Sequence, residues 1–102
     1  MTEALKKTCR TPTQGRRGTT RIPLWKYQCV RRAILEVLEQ SPDGQVQFKN
    51  LAELAQARLD DDELSKLGSV KWHVTTVKLN MEVEGELTRV PNLKPQTLTK
   101  VD

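Results

Sequence analysis

From Leu24 onward the large apolar residues Leu24, Tyr27, Val30, Ile34, Leu35, Val37 and Leu38 recur mostly at spacings of three and four. That is the period of a helix with one buried face, so a first helix is predicted over about 24–40, with Pro23 tolerated at its start. Ser41-Pro42-Asp43-Gly44 ends it with a cluster of turn formers. Gln45-Val46-Gln47-Phe48 alternates polar and apolar, as a very short strand does. Leu51, Leu54, Ala55 and Leu59 then mark one face of a second helix over about 49–59.

The longest helical pattern lies between Ser69, placed as an N-cap, and Gly85, placed as the C-terminal stop. Within it Val70, Val74, Val77 and Met81 share one narrow arc and are assigned to the core. Trp72, Leu79 and Val83 form a second apolar arc on roughly the opposite side, so the N-terminal arm, the first helix or a second protomer is expected to cover it. After Gly85, Glu86 to Val90 alternates, Pro91-Asn92-Leu93-Lys94-Pro95 interrupts, and Gln96 to Val101 partly resumes, which predicts a hairpin. Helix, short strand, helix, helix, strand, strand is the order of an α+β winged helix-turn-helix: three helices, a short strand and a C-terminal two-stranded wing. No internal repeat competes with it.

Residues 1–22 hold only Leu5 and Ile22 as large aliphatics, too little to offset the entropy of ordering. They are read as a flexible or extended basic arm, and 23–102 as the winged-helix domain. At 102 residues the chain has the size of one domain with one modest core.

GSVKWHVTTVKLNMEVEG over Gly68 to Gly85 and ELTRVPNLKPQ over Glu86 to Gln96 resemble a family of small uncharacterised bacterial winged-helix proteins. Thr20-Arg21-Ile22, Trp25-Lys26-Tyr27 and Val30-Arg31-Arg32-Ala33-Ile34-Leu35 fit the same resemblance, which covers about 80 residues. The resemblance implies a fold and brings no assigned activity. Met81 to Arg89 is more loosely similar to the recognition-helix end and wing start of many bacterial transcriptional regulators, which implies DNA binding by analogy alone.

The net charge of +4 sharpens that analogy, because it is uneven. Residues 1–22 carry Lys6, Lys7, Arg10, Arg16, Arg17 and Arg21 against Glu3, or +5, which leaves −1 for the remainder. If the third helix enters a major groove, Lys71, Thr75 and Lys78 share one outward arc from which to reach it. Glu82 and Glu84 at the end of that helix would repel phosphate. Arg89, Lys94 and Lys100 of the wing and Arg16 and Arg17 of the arm are the expected backbone contacts. The bland alternative is a solvated helix face and a solubilising tail. Duplex DNA and a second copy of the chain are thus the candidate partners, with a protein-interaction or assembly module as the alternative function.

Asp60-Asp61-Asp62-Glu63 lacks the glycine and distant ligands of a calcium loop and reads as a helix start with an aspartate N-cap. His73 is the only histidine, and no nucleophile pair or phosphate loop accompanies it, so no enzyme mechanism, cofactor or metal is expected. Cys9 and Cys29 lack metal-ligand spacing and are expected to be free thiols, Cys29 partly buried. No apolar run approaches a membrane span and no secretory h-region is seen, so a cytoplasmic protein is expected.

Overall fold

A computed structural model describes residues 5–11 and 19–101. Among them the chain forms β1 (Lys6–Cys9), β2 (Thr20–Pro23), α1 (Leu24–Gln40), β3 (Gln45–Gln47), α2 (Phe48–Gln56), α3 (Asp61–Leu67), α4 (Val70–Val83), β4 (Leu87–Arg89) and β5 (Thr97–Lys100). The fold is a small mixed α+β arrangement of helices with two antiparallel sheets.

The first helix spans the residues that its apolar period predicts, and its buried face is Tyr27, Cys29, Val30, Ala33, Ile34, Val37 and Leu38. Neither α1 nor α2 has a side-chain N-cap. Distant carbonyls serve instead: Leu24 N–H donates to Leu5 O at 2.6 Å, and Phe48 N–H donates to Gln96 O at 2.9 Å. Each pairing satisfies one amide that a helix start leaves open, and each ties the helix to a segment remote in sequence.

Among the described residues four helices stand where the order of elements predicts three, because the acidic run opens a helix of its own. Asp60 accepts from Glu63 N–H at 2.8 Å, and Glu63 Oε1 accepts from Asp60 N–H at 3.0 Å. This reciprocal box starts α3, and its first-turn carboxylates sit at the favourable end of the helix dipole. Ser69 caps α4 by accepting from Trp72 N–H at 3.1 Å. At the other end Gly85 adopts φ +81°, and Glu86 N–H donates back to Met81 O at 2.8 Å. A left-handed residue here closes the helix at little steric cost only if it is glycine.

The predicted hairpin pairs β4 with β5, and β3 adds to the other side of β5, giving the order β3-β5-β4. Val46 faces Leu98, and both side chains, with Leu87, close the sheet onto the helices. Val30, Ala33 and Ile34 of α1, Leu51 and Ala55 of α2, Leu67 of α3, and Val74, Val77 and Met81 of α4 complete the core without measurable exposure.

Part of the expected flexible arm is ordered. Lys6–Cys9 pairs antiparallel with Thr20–Pro23, with Lys7 opposite Ile22 and Cys9 opposite Thr20. The strand period sends Cys9 and Ile22 into the core, where both are buried, and leaves Lys6, Thr8 and Arg21 outside. A lone two-stranded hairpin is marginal in water, so packing against α1 and α4 is what stabilises this one.

Candidate nucleic-acid interface

α4 advances about 100° per residue, so its side chains sort by number into an inner arc, two flanks and an outer face. Val70, Val74, Val77 and Met81 face inward. Lys71, Trp72, Thr75, Thr76, Leu79 and Val83 make up the outer face, with Trp72 46% and Val83 38% exposed. Among the described residues the Trp72, Leu79 and Val83 arc is only partly covered: Leu79 is half-buried, β1 lines a groove with Val83, and Trp72 stays exposed.

One flank of the outer face is fixed to the three-stranded sheet. Lys78 Nζ donates to Gln96 Oε1 at 2.6 Å, pairs with Glu82 Oε2 at 2.6 Å and stands 4.5 Å from the centre of the Phe48 ring. Arg89 Nε donates to Glu82 Oε1 at 2.9 Å. The opposite flank is fixed to the hairpin. Asn80 Oδ1 accepts from Arg10 N–H at 2.9 Å, and Lys7 Nζ donates to Glu84 Oε2 at 2.7 Å. Asn80 Nδ2 donates to Tyr27 Oη at 2.8 Å and to Glu84 Oε2 at 3.1 Å, which binds this flank to α1 as well. The outer face of α4 is therefore bordered by the β4–β5 loop on one side and a basic hairpin on the other.

Among the residues singled out from sequence, Lys71 is exposed and Thr75 half-exposed on the outer face, and Lys94 is exposed in the β4–β5 loop, where the Lys94–Pro95 peptide bond is cis. Arg89 is half-exposed with its Nε held by Glu82. Lys78 is a correction: its side chain is 2% exposed, because its amine is closed in by Phe48 of α2, Gln96 of the β4–β5 loop and Glu82 rather than facing solvent. Arg16 and Arg17 lie outside the described residues. In the sequence Lys6, Arg10 and Arg21 are part of a diffuse arm charge, whereas the structure sets them on or beside a hairpin whose β1 end is tied to α4.

The two carboxylates expected to repel phosphate are both occupied. Glu82 is matched by Lys78 and Arg89. The Lys7 hydrogen bond holds the Glu84 carboxyl below its usual range, against the opposing effect of burial. Burial pushes the Lys78 amine down, while its hydrogen bond to Glu82 acts the other way.

His73 is buried, with Nδ1 2.7 Å from Ser69 O and its ring edge-on to Trp72 at 4.8 Å between centroids. Burial lowers its pKa. It is a packing residue of the α4 start. Asp60 and Glu63 are engaged in the capping box, and Glu63 also receives Arg32 at 3.1 Å. No helix is long and apolar enough to cross a membrane among the described residues.

Residues 6–98 match the model of a family of unknown function, DUF6958. No curated protein and no solved structure matches the chain.

Proposed function

We infer that this chain, which belongs to the DUF6958 family, is a winged-helix protein that binds duplex DNA, as transcriptional regulators of that architecture do. The observation that carries the reading is the bordered outer face of α4. A β4–β5 loop with Lys94 stands on one side, a hairpin with Lys6, Arg10 and Arg21 on the other, and Lys71 on the face itself. The β3-β5-β4 sheet following α1 supports the winged-helix reading. A helix can enter a major groove about 12 Å wide, and cations beside it then meet the phosphates that line the groove. Pairing of Glu82 and Glu84 within the chain removes the charge conflict at the helix end.

The test is a salt titration of binding to a random-sequence duplex, read by fluorescence anisotropy. Each neutralised phosphate contributes about −0.9 to the slope of log K against log salt. The exposed side chains of Lys6, Arg10 and Arg21 can be changed to glutamine without disturbing the core. The triple variant is expected to flatten the slope by about 2–3. Absence of salt-dependent binding by the unaltered chain at about 50 mM salt would overturn the reading.

The exposure of Trp72 favours a second reading, a protein-interaction or self-assembly module. It predicts association that Trp72→Ser abolishes, and no salt-dependent affinity for DNA.

A further inference from the structure

The side chains that α4 presents narrow the kind of base it can read. In the major groove, guanine offers two acceptors suited to arginine or lysine, and adenine offers an acceptor and a donor suited to asparagine or glutamine. Cytosine offers a donor suited to a carboxylate, and thymine offers an acceptor beside a C5-methyl group suited to apolar contact. α4 contains no arginine and no glutamine. Its one asparagine, Asn80, is buried with both ends of its amide engaged. Glu82 is held by Lys78 and Arg89, and Lys78 is buried. Apart from Lys71 in the first turn, what remains outside is the Trp72 ring, the Thr75 and Thr76 methyls and hydroxyls, Leu79 and Val83.

We propose that this outer face of α4 reads the C5-methyl groups of thymines in the major groove, so that the substrate is an A·T-containing duplex recognised by apolar contact. The proposal rests on the DNA-binding reading above. Charge complementarity selects DNA over a second copy of the chain as occupant, because Lys71 stands exposed on this face and Lys6 lines a groove with Val83 at its far end, and a polyanion satisfies both. A twofold-related copy would bring its own Lys71 and hairpin cations toward them. The threonine hydroxyls add donors for O4 of the same base, so both features of thymine are met. A 5-methylcytosine carries the same methyl group but presents an N4 donor where thymine presents O4, and only Lys71 stands on this face for the acceptors of its guanine partner.

The full chain is titrated with a short alternating A·T duplex and with the same duplex in which deoxyuridine replaces thymidine, a change that removes only the methyl. Unmethylated and 5-methylcytosine-containing G·C duplexes form the other arms. Thymine is expected to be favoured over uracil about fourfold for each methyl buried, with an unchanged salt slope. Thr75→Ser and Thr76→Ser keep the hydroxyls and remove the partner methyls, so they should shrink the thymine-to-uracil ratio, and that ratio rather than either affinity is the readout. Equal, salt-dependent affinity for the two duplexes would overturn the methyl assignment and leave the DNA reading standing. Preference for the 5-methylcytosine duplex over A·T would overturn the choice of thymine. Failure to bind any duplex would overturn both readings.

Discussion

Lys78 and Glu82, one turn apart on α4, hold Nζ and Oε2 2.6 Å from each other with only 2% and 9% of their side chains exposed. Charges this secluded depend on their partners. Lys78→Met would leave Gln96 Oε1 without its donor and Glu82 with Arg89 alone. Removing one member of a buried pair typically costs 3–5 kcal/mol, and the half-exposed Arg89 places this case near the lower end, about 3 kcal/mol. Lys78→Met combined with Glu82→Leu should recover most of that loss, since an apolar pair of similar volume needs no counter-charge. Urea denaturation of the single and double variants checks both statements.

Asn80 joins three elements at one point: α4 itself, α1 through Tyr27 Oη, and the hairpin through Arg10 N–H. Asn80→Ala is expected to cost about 2 kcal/mol, because the partners of a deleted buried amide lose their bonds without regaining water. The loss should be concentrated in the hairpin. Amide exchange at Arg10 and along β1 would accelerate more than at the Val74 and Val77 amides in the core.

Where the architecture is legible in the sequence, one physical signal decides. Seven apolar residues at helical spacing mark α1, and Ser69 and Gly85 bracket α4 because a cap and a left-handed stop each require particular side chains. The hairpin is illegible for a related reason. β1 and β2 bury one large apolar side chain or thiol each, Ile22 and Cys9, and their stability comes from tertiary contact with α1 and α4 rather than from any local pattern. Lys78 shows the same limit within the site. It lies one turn after Val74, at the border of the buried arc, and its charge argues for solvent until the positions of Phe48 and Gln96, remote in sequence, are known. The same periodicity points Lys71 and Thr75 outward, and the structure has Lys71 exposed and Thr75 half-exposed.

His73 gives stability a pH dependence on the acid side. Burial lowers its pKa below the ordinary 6.5, so in the window just below that value the unfolded chain binds a proton that the folded chain does not. The folded state is therefore expected to keep its full stability above about pH 6.5 and to lose it progressively as pH falls through the lowered pKa. Glu63 and Glu84, whose pKa values lie below the ordinary 4.5, lose their contribution only at lower pH still. His73→Gln should flatten the stability curve in the window just below pH 6.5 and leave the carboxylate limb below the ordinary 4.5 in place. A slope unchanged by that substitution would assign the effect elsewhere.

Cys9 offers a direct measure of whether the hairpin opens on its own. Its side chain is 1% exposed, and burial pushes the thiol pKa up to about 11, Lys7 opposing and Glu84 adding to the shift. Cys29 is also buried, on α1, with its thiol pushed up for the same reason. An alkylating reagent needs an accessible thiolate, so at about pH 8 both cysteines of the native protein should react far more slowly than in denaturant. The two report on different events: Cys9 becomes reachable when β1 leaves α4, whereas Cys29 requires α1 to come away. If the hairpin is a separately opening unit, Asn80→Ala should raise the labelling rate of Cys9 by about tenfold or more, since every 1.4 kcal/mol taken from its closure is a factor of ten, and leave Cys29 nearly unchanged. Equal acceleration at both thiols would show that the hairpin opens only when the whole domain does.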